Sequence, residues 1–251
     1  MNDKVIIDIT NLTKVYNGRL EPAVDNISLE IYEGEVFGIV GPNGAGKTTT
    51  LSVLCGLLKS TSGAVKINGF DLDHDLNEIK KFIGVISQDI ALYEKLTAYE
   101  NLYYFGRLFD INKKELNSII DSLLNRLGLY KYKNEKIVNF SGGMKRRINL
   151  LAGVLHNPKI LFLDEPVTGC DVQSRIVIRE YLLELKLSGT TLIYTSHLMD
   201  DVEKLCTRIS VMDYGRIIQT GTPTSLISQH SDCLSLEDLF LKLTGRNLRD
   251  L

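Results

Sequence analysis

The stretch Gly41-Pro42-Asn43-Gly44-Ala45-Gly46-Lys47-Thr48-Thr49 constrains this chain more than any other. It fits G-x-x-x-x-G-K-[ST], the P-loop pattern. A short apolar run, Glu35 to Val40, precedes it, and a helical pattern from Thr49 to Leu58 follows with Leu51, Leu54, Leu57 and Leu58 on one face. Strand, glycine loop and helix is the arrangement in which successive backbone N–H groups close around a polyphosphate. The helix N-terminus adds partial positive charge there. Glycines are needed because the backbone must approach the phosphates closely and take conformations that a Cβ would block. Lys47 would bring a point charge to the β- and γ-phosphates, and Thr48 a hydroxyl to Mg2+. The loop alone does not say which kind of nucleotide protein this is.

At 251 residues the chain is long enough for one large α/β domain, or one domain with an appendage. Lys+Arg 29 against Asp+Glu 31 gives a net charge of -2, so no global basic field points to nucleic acid. No apolar run approaches the length of a bilayer crossing, and the start Met1-Asn2-Asp3-Lys4 has no signal-peptide core. Cys55, Cys170, Cys206 and Cys233 are far apart and form no CxxC pair, so they read as reduced thiols. A soluble, cytoplasmic protein is expected.

In chain order, Val5 to Ile9 and Val24 to Ile31 read as strands, and between them Val15-Tyr16-Asn17-Gly18 is a turn signal carrying an aromatic. Tyr16 could stack on a base or be half-buried packing. After the loop come a strand at Ala64 to Ile67, a hairpin turn at Asn68-Gly69, and a buried strand at Ile83 to Ile86 running into Ser87-Gln88. From Thr97 to Leu129 the period turns helical, with Leu116, Ile119, Ile120, Leu123, Leu124 and Leu127 in phase. Ser141 is placed as the N-cap of a further helix striped by Ile148, Leu151, Ala152 and Leu155. Ile160 to Leu163 reads as a central parallel strand ending in Asp164-Glu165. A helix (Val172 to Leu187), a strand (Thr190 to Tyr194) and Ser196-His197 follow. Then come a hairpin around Asp213-Tyr214-Gly215 and helical patterns at Thr222 to Gln229 and Leu236 to Leu243. The order is a β-rich start, a P-loop unit, a helical insert, then alternating β and α.

The apolar run closing on two acids has the form of a Walker B strand. Asp164 at its end can hold Mg2+, and Glu165, one residue on, can polarise an attacking water. With these residues in order, the chain resembles the ATP-binding subunits of ABC transporters over nearly its whole length. The resemblance makes Tyr16 the adenine platform and Gln88 the glutamine that follows a strand. Ser141-Gly142-Gly143 become the signature, Asp171 the aspartate of the following loop and His197 the switch histidine. It implies an α/β fold: a P-loop core with a mixed, largely parallel central sheet, an N-terminal antiparallel β subdomain and an inserted all-helical subdomain. The core would take residues 1–89 and 157–220, the helical subdomain 90–156 and a C-terminal helical tail 221–251.

The implied cofactors are ATP and Mg2+. The P-loop from Gly41 to Thr49 and Tyr16 would bind ATP, while Thr48, Gln88 and Asp164 would hold the metal. Glu165, His197, Gln88 and Lys47 would serve hydrolysis. Ser141, Gly142, Gly143, Met144 and Asp171 would meet the ATP of a partner copy, itself the same chain or a homologous ATPase. Leu92-Tyr93 to Leu102, Ser141 to Arg147 and the tail from Leu236 to Arg246 resemble the type-2, daunorubicin-exporter kind. That implies a type-2 membrane permease as partner and a place on the inner face of the cell membrane. Tyr93, Tyr99, Tyr103 and Tyr104 are candidates for the groove that receives it, or packing for the helical lobe. The departures are Phe140, Met144, Cys170 and Val172; Met144 in particular removes an amide that could reach nucleotide.

Two alternatives remain from the residues. A P-loop GTPase or small-molecule kinase is disfavoured, since the nearest approach to a guanine motif, Asn112-Lys113-Lys114-Glu115, has the wrong acid and sits in the helical insert. A soluble ATPase of the same type, acting on DNA or ribosomes, usually has long coiled coils or two fused nucleotide domains, and neither is present.

Overall fold

The computed structural model describes residues 4–230 and 232–245. The strands β1 (Val5–Lys14) and β2 (Val24–Tyr32) pair antiparallel, and their alternating apolar residues turn one face inward. β3 (Val36–Val40) is buried at every position and leads through the glycine loop into α1 (Lys47–Leu54). β4 (Ser62–Ile67) and the short β5 (Phe70–Asp71) return to the first sheet across Asn68-Gly69, both at positive φ as a tight hairpin turn requires. Short α2 (Leu76–Ile79) precedes β6 (Ile83–Ile86).

The helical insert follows. α3 (Ala98–Arg107) opens with a capping box between Thr97 and Glu100, and α4 (Lys113–Arg126) is capped by Asn112. α5 (Gly142–Val154) is capped by Ser141. The chain then alternates through β7 (Ile160–Asp164), α6 (Val172–Leu187), β8 (Thr191–Ser196), α7 (Met199–Leu205), β9 (Arg208–Asp213) and β10 (Arg216–Gly221). α8 (Pro223–Ser228) and α9 (Leu236–Thr244) close the described chain.

Among the described residues, β2-β1-β4-β5 form an antiparallel sheet and β10-β9-β3-β8-β7-β6 a second, in which β10 alone is antiparallel. The larger sheet is covered on both faces, which is why its strands read as unbroken apolar runs. Ile160 and Phe162 of β7 with Ile193 of β8 face the antiparallel sheet. Leu161 and Leu163 with Leu192 and Tyr194 face the helices, where Leu116, Ile120 and Leu124 of α4 and Leu151 of α5 pack. Each such fully buried Leu or Ile contributes ~1.5–3 kcal/mol relative to exposure. Leu236, Leu239 and Phe240 of α9 join the same core. The motif residue Arg246 lies outside the described residues.

Two expectations change and the helical one is refined. α1 ends at Leu54, not Leu58: Gly56 turns left-handed at φ 69 and the N–H groups of Leu57 and Leu58 fold back onto Ser52. Leu57 is thereby 67% exposed and is not part of the buried face. The pattern from Thr97 to Leu129 is two helices, broken at Leu108 to Asn112, where Asp110 takes φ 56. Finally, β8 runs on to Ser196, two residues past the expected end, and buries Thr195.

Candidate functional site

The glycine loop is held from below. Gly46, at φ 106, is the N-cap of α1, and a Cβ there would run into the Ala23 carbonyl and the Met212 side chain. No side chain caps this helix, whereas Thr97, Asn112, Ser141 and Asp171 cap α3, α4, α5 and α6. The first-turn N–H groups of α1 therefore open into a cleft of about 620 Å3. Tyr16, Arg19, Ala23, Asn43 to Thr49, Gln88 and Glu165 line it.

Lys47 is 5% exposed; its ammonium donates to the carbonyls of Gly41 (2.7 Å) and Pro42 (3.2 Å) and lies 3.7 Å from Glu165 Oε1. Burial pushes its pKa below the ordinary lysine value, against the pull of the Glu165 and Asp164 carboxylates. Thr48, exposed to the cleft, donates its hydroxyl to Asp164 Oδ1 at 3.2 Å. The Thr195 hydroxyl donates to the same oxygen at 2.6 Å and accepts the Glu165 N–H at 3.0 Å. Glu165 itself sits at φ 47, a strained conformation for a residue with a side chain. Its Oε1 is 3.1 Å from His197 Nδ1 and its Oε2 accepts from the Thr168 hydroxyl at 3.1 Å.

Tyr16 is 37% exposed on the cleft wall, its hydroxyl 3.1 Å from that of Thr49. Gln88 borders the cleft, and its backbone carbonyl accepts from Arg146. Asp164 and His197 stand behind Thr48 and Glu165, and Gly41 and Pro42 serve through their carbonyls. Ser141, Gly142, Gly143, Met144 and Asp171 do not border this cleft. Ser141 accepts the Met144 N–H, and the Met144 side chain packs on the helical core. The two glycines differ: nothing stands within 4 Å of a Cβ on Gly142, but one on Gly143 would meet Asp171 Oδ2 at 2.6 Å. Asp171 caps α6 by accepting the Ser174 N–H and hydroxyl, and these bonds hold its pKa below the usual carboxylate range.

Sequence reasoning missed Arg19, Thr168, Thr195 and Arg146. Arg19 follows Tyr16 in one turn, its N–H on the Tyr16 carbonyl, and no motif marks it. Thr195 lies in the two residues of β8 that the strand pattern did not claim.

The donors around Thr48 and Asp164 are hard oxygens, as Mg2+ requires. No cluster of three His, Cys, Asp or Glu among the described residues could hold a metal unaided. A cation here would draw its remaining ligands from phosphate oxygens and water, the usual state of nucleotide-site Mg2+.

The family model for ABC transporters matches residues 24–168. The chain belongs to that family. The linearmycin resistance ATP-binding protein LnrL of Bacillus subtilis is 42% identical to this ABC protein over 89% of this chain and 71% of its own. The Nod factor export ATP-binding protein I of Rhizobium leguminosarum bv. viciae is 36% identical over 93% of this chain and 74% of its own. Among solved structures, a dimeric ATP-binding cassette in a post-hydrolysis state with ADP and phosphate superposes with TM-score 0.80 at 26% identity. That match covers 86% of this chain and 98% of the cassette. The chain is the ATP-binding, ATP-hydrolysing subunit of an ABC transporter. Among the described residues no helix is long and apolar enough to cross a membrane.

Proposed function

We propose that this subunit powers export through a separate type-2 membrane permease, from the inner face of the cell membrane, by ATP-driven closure of an ATPase dimer. The observation that carries the dimer is the division of the site. The cleft gathers the phosphate-binding loop with Glu165 and Gln88, while Ser141 and Gly142 stand exposed elsewhere with open space above Gly142. In this reading the signature end of α5, where the Ser141 hydroxyl already accepts the Met144 N–H, would offer that hydroxyl and the other first-turn N–H groups to another molecule. A second copy, or a homologous ATPase, would complete each site.

In this reading Lys47 leaves the Gly41 and Pro42 carbonyls for the β- and γ-phosphates, and Tyr16 carries the adenine. Mg2+, held by Thr48, Asp164 and Gln88 with phosphate oxygens, would neutralise charge on the phosphates. Glu165 takes the proton of the attacking water, and His197 fixes the carboxylate from Nδ1 and faces the γ-phosphate.

Two relatives' names speak of export and of resistance. In this reading the permease would meet exposed apolar residues in and around α3: Tyr104 (43% exposed) within it, Leu108 (62%) and Phe109 (39%) just past its end, and Tyr93 (49%) in the segment before it. Tyr93 and Tyr104 meet edge to face at 5.2 Å, whereas Tyr99 and Tyr103 pack inward on the helical core. Exposed apolar patches of this kind mark partner sites. The test is retention on washed membrane vesicles: the wild-type chain should stay bound, and Tyr104→Asp with Leu108→Asp should be released. A wild-type chain that washes off would favour a soluble ATPase uncoupled from transport.

A further inference from the structure

Lys145, Arg146 and Arg147 are consecutive on α5, yet they reach different places. Lys145 pairs with Glu94 at 2.6 Å, and Arg147 donates to the carbonyls of Gly143 and Leu127, so both stay within the helical insert. Arg146 leaves it. It is 7% exposed, and its guanidinium donates to the carbonyls of Gln88 (2.6 Å), Ser87 (3.3 Å) and Thr168 (3.3 Å). A buried cation whose hydrogen-bond partners are carbonyls rather than carboxylates is an expensive way to stabilise a fold. What the guanidinium offers instead is a rigid fork that can hold two separate loops at fixed spacing.

Both loops bear on the cleft. Gln88 lines it, and the Thr168 hydroxyl holds Glu165 Oε2 at 3.1 Å. The helix that supplies Arg146 is capped by the exposed Ser141, five residues earlier. We infer that Arg146 is a positioning residue that fixes Gln88 and Glu165 in the chain's own cleft to the helix presenting Ser141 to the second copy. Own-site and partner-site groups are thereby set by one side chain. The inference rests on the roles proposed above for Gln88 and Ser141.

The experiment is a double-mutant cycle read as kcat, Mg-ATP affinity and melting temperature. Arg146→Lys keeps the charge but replaces the fork with a point donor. It should lower kcat on the order of tenfold, the scale on which neighbouring groups couple. Mg-ATP affinity should stay within about twofold, because Arg146 does not line the cleft. In a Gln88→Ala background the same change should cost clearly less. Undiminished loss in that background, an affinity falling in step with kcat, or an unchanged kcat would each overturn the inference. A Gln88→Ala protein with normal kcat would sink the role of Gln88 and this inference with it, whereas additive losses sink the inference alone. Should Arg146→Lys not fold, Arg146→Gln takes its place in the cycle; if neither folds, Arg146 is a folding residue and the inference fails.

Discussion

Lys47 Nζ lies 3.7 Å from Glu165 Oε1, with both side chains more than nine-tenths buried. The cation proposed for phosphate and the carboxylate proposed for water are thus paired with one another in the cleft. In the proposed mechanism ATP binding would exchange that contact and two loop carbonyls for phosphate oxygens. Lys47→Ala should therefore weaken Mg-ATP binding on the order of a hundredfold, about 3 kcal/mol. Unchanged affinity in a calorimetric titration would show that the site has been misplaced.

Tyr16 tests the base end of the cleft. Tyr16→Ala should cost about 1–3 kcal/mol of ATP affinity, the worth of one base–aromatic stack, and Tyr16→Phe much less. Among the described residues the Tyr16 hydroxyl hydrogen-bonds to that of Thr49, a contact that the phenylalanine variant loses while it keeps the ring. If the alanine variant binds as the wild type does, Tyr16 is packing.

Ser141→Arg probes the division of the site. The residue is exposed and outside the cleft, so ATP binding should survive while hydrolysis stops. Mixing Lys47→Ala with Ser141→Arg subunits should restore part of the activity, because one intact composite site can form. Loss of ATP binding in the Ser141 variant would mean that the signature works within its own chain.

Most of this was legible in the residues, and the reasons differ by element. The loop from Gly41 to Thr49 is readable because close backbone approach to phosphate tolerates few alternatives. β7 is readable because burial on both faces leaves an unbroken apolar run. Leu57 misled because helical phase cannot see a Gly56 that turns left-handed and ends the helix. Gly143 was readable as a signature glycine, but its crowding against Asp171 comes from the packing of α5 on α6. Arg146 was invisible for a related cause: its partners are backbone carbonyls, which every residue has, so no side-chain pattern announces them.

His156 gives a pH test away from the cleft. Its ring stacks on Phe109 at 3.7 Å and Nε2 donates to the Ile83 carbonyl at 2.8 Å, while burial pushes its pKa below 6.5 despite that carbonyl. Below pH 6.5 the unfolded chain then binds more protons here than the folded one, so stability rises with pH and is lost on acidification. His156→Gln keeps a donor for Ile83 but cannot titrate. Its melting temperature should fall less steeply than that of the wild type between about pH 7 and pH 5. Equal slopes would remove His156 from the acid response.

The two acids at the end of β7 should separate cleanly. Asp164 faces Thr48 and Thr195 and bears the metal in the proposed mechanism, so Asp164→Asn should lose Mg2+-dependent binding and turnover together. Glu165 is tied to His197, Thr168 and Lys47, and its proposed task is the attacking water rather than the nucleotide. Glu165→Gln keeps the shape and removes the basic oxygen, so ATP should bind normally while hydrolysis nearly stops. General-base catalysis is worth ~10²–10⁴-fold, enough to make turnover slower than dimer closure. The variant should accumulate as an ATP-bound dimer, seen by gel filtration with ATP and absent with ADP. His197→Ala should give a weaker block, since its Nδ1 contact orients the carboxylate and does not replace it. Normal hydrolysis by Glu165→Gln would take Glu165 out of the mechanism and hand the proton to His197 or to the phosphate itself.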